Sequence, residues 1–126
     1  LAEKALCEDF THFTLKHHLI QQAKPFHQEF MIVCEEQEVV DKTLLAQVSD
    51  SLLLIKGCRA SFTIARTLDA GHPTSCSARS DGSFNVQKIM EKLHGGGHFS
   101  AAASSTMDYG PRAFYDQLVT ILEEEI

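Results

Sequence analysis

The sequence predicts an α/β domain in which helices pack on a small mixed β-sheet. Segments with a helical apolar period alternate with short strand-like segments, in the order α-β-α-β-β-α, a glycine-rich loop, a short α, β and α. The chain has 126 residues, of which 44% are hydrophobic and 22% charged. That length and composition suit a single domain with one hydrophobic core.

The first helix is predicted to begin at Asp9, a residue type that caps helix N-termini, and to run to about Ala23. Lys24-Pro25 ends it, because proline disfavours the helical conformation in the residue before it. Five residues fall at spacings of three and four and are expected to face inward: Leu6, Phe10, Phe13, His17 and Ile20. The neighbouring His17 and His18 point about 100° apart on a helix, so a shared metal ion is not expected there.

Residues 26–34 predict a strand, since the apolar run 30–33 is typical of a strand that is covered on both faces. The acidic run Glu35-Glu36-Gln37-Glu38 then predicts a solvated loop. Asp41 is expected to cap a second helix, which Gly57 ends. The side chains predicted to face inward from that helix are Leu44, Leu45, Val48, Leu52 and Ile55.

Residues 60–66 alternate in polarity with period two and 74–79 follow across a turn, which predicts a β-hairpin. Asn85 is expected to cap a third helix, whose apolar residues are Val86, Ile89, Met90 and Leu93. The small-residue run 98–104 predicts a short helix and 105–108 a short strand. Pro111 predicts the start of a last helix. Its inward residues are Phe114, Leu118, Val119 and Leu122. Its three terminal glutamates oppose the helix dipole, so the C-terminal end of the helix is expected to fray.

The stretch that points to function is 93–99, Leu-His-Gly-Gly-Gly-His-Phe. Glycine in regular structure costs roughly 0.5–1 kcal/mol relative to alanine, so three in a row need a reason. Consecutive amides without Cβ atoms form an anion-binding concavity, and a short helix starting near His98 would add free N–H groups. A plain turn with Gly95 after the third helix would need only one glycine. We therefore expect Gly95, Gly96 and Gly97 to contact a ligand.

Two cationic side chains are the best candidates to assist these glycines. Arg79 ends a strand of small residues, and its guanidinium suits a phosphate bidentately. His98 follows the glycines and offers a hydrogen bond when neutral and a positive charge when protonated. Ser80 could donate a hydrogen bond or only shape a turn, and Asp81 or Asp108 could orient His98.

Several function classes are disfavoured. The net charge of −6 argues against broad non-specific binding to nucleic acid. The four cysteines form no Cys-x-x-Cys pair and are expected to be reduced thiols in the cytoplasm. There is no G-x-S-x-G nucleophile motif, no P-loop lysine, no signal peptide and no apolar run of membrane-spanning length.

Three segments together strongly resemble the DHH-associated C-terminal domain of the DHH phosphoesterase superfamily. They are Ser77-Ala78-Arg79-Ser80, the helix 84–93 and Gly95-Gly96-Gly97-His98. Within that superfamily the chain looks most like the GdpP-type cyclic-di-AMP phosphodiesterases, over about residues 30–122. The resemblance implies a lead-in helix from a DHH domain at 1–25 and a substrate-binding domain at 26–126. Because the chain begins with Leu1, we expect it to be part of a longer protein.

The resemblance implies a division of labour. In that family the DHH domain holds a pair of Mn ions, while the C-terminal domain binds the nucleotide. The implied substrate contacts are Arg79, Ser80, Gly95, Gly96, Gly97 and His98, with no cofactor and no metal in this chain. The isolated chain is expected to be inactive and cytoplasmic, without direct membrane contact, even if the parent protein is membrane-anchored. Its expected partners are a cyclic dinucleotide or short oligonucleotide, the DHH domain of the same polypeptide and, as an option, a second copy in a homodimer.

One residue departs from the GdpP-type pattern. His94 stands where those proteins often have another glycine, and its side chain would narrow the mouth of the pocket or change its charge.

Two other functions stay open. The first alternative is a nucleic-acid-binding domain like those of nanoRNases, RecJ-type exonucleases or alanyl-tRNA synthetases. The second is a structural or dimerisation domain in which the glycine loop is only a turn.

Overall fold

The computed structural model describes the backbone of residues 2–126 and the side chains of residues 9–126. The described residues form four helices and six strands, so the predicted α/β class is confirmed. In chain order these are α1 Ala2–Gln21, β1 Lys24–Phe26, β2 Phe30–Val40, α2 Lys42–Leu52, β3 Ala60–Thr67, β4 Thr74–Ser80, α3 Val86–Lys92, β5 Gly96–His98, β6 Ala101–Thr106 and α4 Pro111–Glu125.

The six strands form one sheet in the order β1-β2-β3-β4-β6-β5. Strands β2 and β3 run parallel and are connected by α2, whereas every other neighbouring pair is antiparallel. The sheet is therefore mixed, as predicted. Its two edge strands, β1 and β5, have three residues each.

Helices cover the two faces of the sheet unequally. On the first face, which we call the α3/α4 face, α3 and α4 pack over a core that includes Phe62, Ile64 and Phe114. On the second face, the α1/α2 face, α1 and α2 bury Leu19 and Leu45 against β2, β3 and β4. Strands β5 and β6 at the end of this second face stay exposed. The site described below lies on this uncovered part of the sheet.

The predicted helix caps are confirmed. The side chain of Asp41 accepts a hydrogen bond from the backbone N–H of Thr43 at 2.9 Å, and that of Asn85 accepts one from Lys88 at 3.2 Å. Pro111 is the first residue of α4. The inward positions of α2, α3 and α4 are buried as predicted, apart from Ile55, which is 47% exposed, and Val119, which is partly buried. Helix α2 ends at Leu52 rather than at Gly57.

The first helix differs most from its prediction. It begins at Ala2, so Asp9 lies inside it and does not cap it. Phe10 and Phe13, predicted to face inward, are 65% and 57% exposed, while Leu19 is fully buried against α2 and β2. The helix carries two apolar stripes. Leu15 and Leu19 of the second stripe meet the core, whereas of the predicted stripe only Ile20, among the described side chains, packs against it. The side chain of Leu6 lies outside the described side chains.

The acidic run 35–38 was predicted as a solvated loop, but it lies within β2, and Glu35 is not solvated. Strand β2 continues to Val40 with a break in its pairing to β3 between Cys34 and Val39. Glu35 is only 3% exposed. Its carboxylate accepts hydrogen bonds from the backbone N–H groups of Gln37 and Glu38 at 2.9 and 3.0 Å. These contacts replace the ladder bonds that the break removes.

The predicted short helix over residues 98–104 is also wrong. This segment forms the β5–β6 hairpin, and β6 pairs with β4 so that Ala103 lies opposite Ser77. Ala102 and Ser104 are buried while Ala103 and Ser105 are exposed, which is the alternation of a strand. The alanines favour a helix by propensity, but pairing with a distant strand overrides that preference.

At the far end of the chain, α4 stays regular to Glu125, where fraying was predicted. The carboxylate of Glu125 lies 3.0 Å from Nζ of Lys88 and also contacts Lys92. Both lysines come from α3. These two cations offset the unfavourable placement of acids at the helix C-terminus.

Candidate functional site

A helix-terminating turn leads from α3 into the glycine stretch. The backbone N–H of His94 donates to the carbonyl of Glu91 at 3.1 Å, and the N–H of Gly95 donates to that of Met90 at 2.8 Å. This pair of bonds is the Schellman motif, whose central residue adopts the left-handed conformation. That residue is His94, with φ 66°, and not Gly95, which the alternative of a plain turn would have placed there.

We expect His94→Gly to raise the free energy of unfolding by about 1 kcal/mol, because a side chain in the left-handed region is penalised and glycine is not. Urea denaturation of the two proteins measures the difference. His94→Ala is the matched control, since it removes the imidazole and keeps the backbone penalty. Equal stability of the glycine and alanine variants would show that His94 is not strained.

The three glycines have different roles in the fold. A Cβ on Gly95 would lie 2.1 Å from the carbonyl oxygen of Ala103, and one on Gly97 would lie 2.6 Å from that of Ala101. Gly97 also has φ 145°. A Cβ on Gly96 would meet no atom within 4 Å. Packing against β6 therefore requires two of the glycines, whereas Gly96 leaves open a space that the fold itself does not use.

Strand register brings Arg79 and His98 to the same face. Arg79 lies opposite Ala101 in the β4–β6 pair, and Ala101 lies opposite His98 in the β6–β5 pair. Residues directly opposite each other on neighbouring strands project to the same side of a sheet. Arg79 contacts Asp50 of α2, so this side is the α1/α2 face. Gly96 lies opposite Ala103 and faces the same way.

The Arg79 guanidinium is fixed at two points. Its Nε lies 3.3 Å from Oδ1 of Asp50, and its Nη1 donates to the carbonyl of Ala78 at 2.9 Å. Within residues 9–126, no hydrogen bond or ion pair occupies Nη2. The contact with Asp50 was missed from the sequence, because the two residues come from different elements and no local pattern connects them.

The remaining candidates occupy other positions. Ser80 is 8% exposed, lies opposite Ala60 on the α3/α4 face and accepts hydrogen bonds from the N–H groups of Gly82 and Phe84. The structure therefore separates Ser80 from Arg79 and His98 and shows that it shapes the turn before α3. In the described part of the chain, neither Asp81 nor Asp108 contacts the exposed His98.

The β5–β6 hairpin is tied to the rest of the domain at several points. The backbone N–H of Val86, the first residue of α3, donates to the carbonyl of Phe99 at 3.0 Å. At the other end of α3, the hydroxyl of Ser104 donates to the carbonyl of Leu93 at 2.6 Å. The N–H of Ser80 donates to the carbonyl of Ser100 at 2.9 Å. The hairpin is consequently a fixed part of the sheet edge.

The described His, Cys, Asp and Glu side chains bear on metal binding and on thiol reactivity. Residues 9–126 hold no group of three or more His, Cys, Asp or Glu side chains placed to bind a metal ion. Burial raises the pKa of the Cys34 thiol to about 11 and also raises that of Cys76, so both are protonated thiols at neutral pH. None of the described helices is both long enough and apolar enough to cross a membrane.

Known proteins resemble this chain in sequence and in fold. Residues 27–126 match the DHHA1 domain family. The cyclic-di-AMP phosphodiesterase PdeA of Listeria monocytogenes is 37% identical over 124 residues, covering 98% of this chain and 19% of PdeA. The cyclic-di-AMP phosphodiesterase GdpP of Geobacillus thermodenitrificans is 39% identical over 109 residues, covering 86% of this chain and 16% of GdpP. The chain thus spans less than a fifth of the length of either relative.

A solved structure with low sequence identity has the same fold. The pGpG-specific phosphodiesterase PggH of Vibrio cholerae superposes with a TM-score of 0.61 at 18% identity, over 90% of this chain and 40% of PggH. Together with the family match and the two relatives, this agreement confirms the prediction made from the motifs around Arg79 and His98. The chain belongs to the DHHA1 domain family of the DHH phosphodiesterases.

Proposed function

We propose that this chain holds the substrate of a phosphodiesterase that hydrolyses cyclic di-AMP or its linear dinucleotide product. The observation that carries the proposal is the shared row of Arg79 and His98 on the uncovered part of the α1/α2 face, beside the open space at Gly96. Two relatives that are 37% and 39% identical carry cyclic-di-AMP phosphodiesterase in their names. They support the choice of a dinucleotide as the ligand.

Each residue would have a distinct task in binding. Two strand spacings of about 4.8 Å separate the backbones of Arg79 and His98, a distance that their side chains can bridge from opposite sides of a phosphodiester. The free Nη2 of Arg79 would donate to a phosphate oxygen, and its two fixed nitrogens hold it ready. The imidazole of His98 would hydrogen-bond the phosphate or a ribose hydroxyl. Gly96 would let the ligand approach the backbone.

Cleavage would require groups from outside the described residues, which do not fit a manganese site. We propose that a DHH domain of the same polypeptide holds two Mn ions, and that together with this chain it encloses the substrate in the cytoplasm. Metal ions of this kind activate water for attack on phosphorus. This chain would contribute binding and orientation, and it would not turn over substrate alone.

The proposal is tested by NMR-monitored titration of the chain with cyclic di-AMP and linear diadenylate, in the absence of metal. Arg79→Ala and His98→Ala are each expected to weaken binding by about 10- to 150-fold, the equivalent of one hydrogen bond to a charged group. Arg112→Ala and His12→Ala, exposed residues of α4 and α1, are the matched controls and should bind like the wild type. Unchanged binding in both site variants would contradict the proposal.

Salt dependence distinguishes a dinucleotide site from a nucleic-acid interface. Affinity for single strands falls with a log–log slope of about −0.7 for each phosphate contacted. A dinucleotide site should therefore give a slope of about −1 and bind a ten-nucleotide RNA no more tightly than diadenylate. Tighter binding of the RNA with a several-fold steeper slope would favour the nucleic-acid-binding alternative.

A further inference from the structure

One partly exposed aromatic ring directly follows the proposed site in the chain. Phe99 occupies the turn between β5 and β6, directly after His98, and is 45% exposed. Within residues 9–126 the aromatic and cation–π contacts involve other rings and not that of Phe99. By contrast the ring of Phe84 packs edge-to-face against that of Phe30, with centroids 4.8 Å apart, and lies under the guanidinium of Arg59.

The backbone that carries Phe99 is held firmly. Its carbonyl accepts from Val86 at 3.0 Å, and the next carbonyl, that of Ser100, accepts from the N–H of Ser80 at 2.9 Å. One bond connects the turn to α3 and the other to β4. A ring on such a turn has its own rotamers as its only freedom, so little order has to be gained when a flat ligand group lies against it.

Phosphate contacts alone do not define the ligand class. Arg79 and His98 would bind a phosphate of any compound, whether a nucleotide or an inorganic polyphosphate. A nucleobase differs from both phosphate and ribose in having a π-face, which stacks on aromatic side chains. In a nucleotide the base is one ribose away from the phosphate, so its stacking partner must be close to the phosphate contact. Phe99 follows His98 in the turn that ends β5, where the alternation of strand side chains no longer applies, and the Cα atoms of the two residues are only about 3.8 Å apart.

We propose that Phe99 stacks on a nucleobase of the bound dinucleotide, so that the site selects base-bearing ligands over bare phosphates. This inference rests on the proposed function, because it takes Arg79 and His98 as the phosphate contacts. It goes further by assigning base recognition to a residue outside the glycine motif. It also predicts that the ring, rather than the apolar character of the side chain, determines affinity.

The test compares Phe99→Ala, Phe99→Leu and Phe99→Tyr with the wild type, using three probes. The probes are linear diadenylate, the same dinucleotide with both bases replaced by hydrogen, and inorganic triphosphate. The matched control is Phe10→Ala, which removes another exposed phenylalanine, 65% exposed and located on α1. Affinity and the chemical shifts of the adenine protons are measured by NMR titration.

Loss of the ring in Phe99→Ala and Phe99→Leu should weaken diadenylate binding by roughly 5- to 150-fold, the range measured for one stacked base. Phe99→Tyr and Phe10→Ala should bind like the wild type. Binding of the base-free dinucleotide and of triphosphate should be the same in all the proteins. The upfield ring-current shift of the adenine protons should disappear when the ring is removed.

The two proposals fail in different ways. If wild type binds diadenylate and Phe99→Ala binds it equally well, the stacking inference is overturned and the proposed function stands. If Phe99→Ala weakens all three probes equally, the residue supports the hairpin and does not recognise a base, which also overturns the inference. If wild type binds no diadenylate, both the proposed function and the stacking inference that rests on it are overturned. If Phe99 instead contacts a protein partner, Phe99→Ala would bind diadenylate as well as the wild type does, which is the first of these results.

Discussion

Gly95→Ala is expected to lower the free energy of unfolding by about 1–3 kcal/mol, while Gly96→Ala should change it by less than about 0.5 kcal/mol. The two substitutions add the same methyl group to adjacent residues of one motif. On Gly95 that methyl would overlap the carbonyl oxygen of Ala103 at 2.1 Å, so the β5–β6 hairpin must move. On Gly96 it would enter open space. Urea denaturation of both variants measures the difference.

Ligand binding should show the reverse order. The methyl of Gly96→Ala would project from the α1/α2 face, opposite Ala103 and two residues along β5 from His98. It should therefore weaken diadenylate binding in a protein that is as stable as the wild type. If Gly96→Ala keeps full affinity, the ligand does not approach this backbone closely. If both variants are equally destabilised, the division of roles among the glycines is wrong.

Glu35→Gln is expected to lower the free energy of unfolding by about 1.5–3 kcal/mol at pH 7, because hydrogen bonds to a charged group are lost or weakened in a buried site. Burial by itself would raise the pKa of Glu35. The hydrogen bonds from the backbone of Glu38, the amide of Gln22 and the backbone of Gln37 outweigh that effect and lower the pKa. The exposed neighbour Glu36 provides the control variant Glu36→Gln.

The pH dependence follows from the direction of that shift. A carboxyl whose pKa is lower in the folded state stabilises the protein above its unfolded value of about 4.3, and this contribution disappears as the pH falls through the folded value. The stability difference between wild type and Glu35→Gln should thus be present at neutral pH and should shrink below about pH 4. A difference that does not change with pH would mean that the charge of Glu35 is not what stabilises the fold.

Elements with local signals were predictable from the sequence. The caps at Asp41 and Asn85 and the proline at position 111 act within one helical turn, so the residues that form them are adjacent in the chain. The hairpin of β3 and β4 is similarly local, with alternating polarity on both sides of a turn. These signals were sufficient for the fold class and for most of the buried residues of α2, α3 and α4.

The errors came from contacts between distant segments. In α1, the stripe of Phe10 and Phe13 and that of Leu15 and Leu19 both have helical spacing, and the packing of α2 determines which is buried. The small residues of 98–104 favour a helix by composition, but residues 101–106 pair with β4 and form a strand. Glu35 resembles a loop residue because the acidic run alone does not reveal its contact with the side chain of Gln22, which comes from a distant segment.

The candidate site was predictable in its residue types but not in its geometry. Arginine, histidine and glycine suit a phosphate ligand whatever their positions. The face to which each side chain projects depends on the register of β4, β6 and β5, and in the β4–β6 pair this register joins residues 22 to 32 positions apart. For this reason Ser80 was predicted to lie in the site with Arg79. The two residues are adjacent on a strand, and their side chains project to opposite faces.

The short edge strands have a consequence for self-association. Backbone groups at a sheet edge can pair with another molecule, and long flat edges lead to aggregation. Here each edge strand has only three residues; β1 includes Pro25, which has no N–H to donate, and β5 consists of two glycines and a histidine. The edge strands themselves therefore give a neighbouring copy little to pair with. Strand β1 covers only residues 30–32 of β2, and β5 covers only residues 101–103 of β6. Any strand pairing between two copies would have to use the outer side of β2 beyond β1 or of β6 beyond β5.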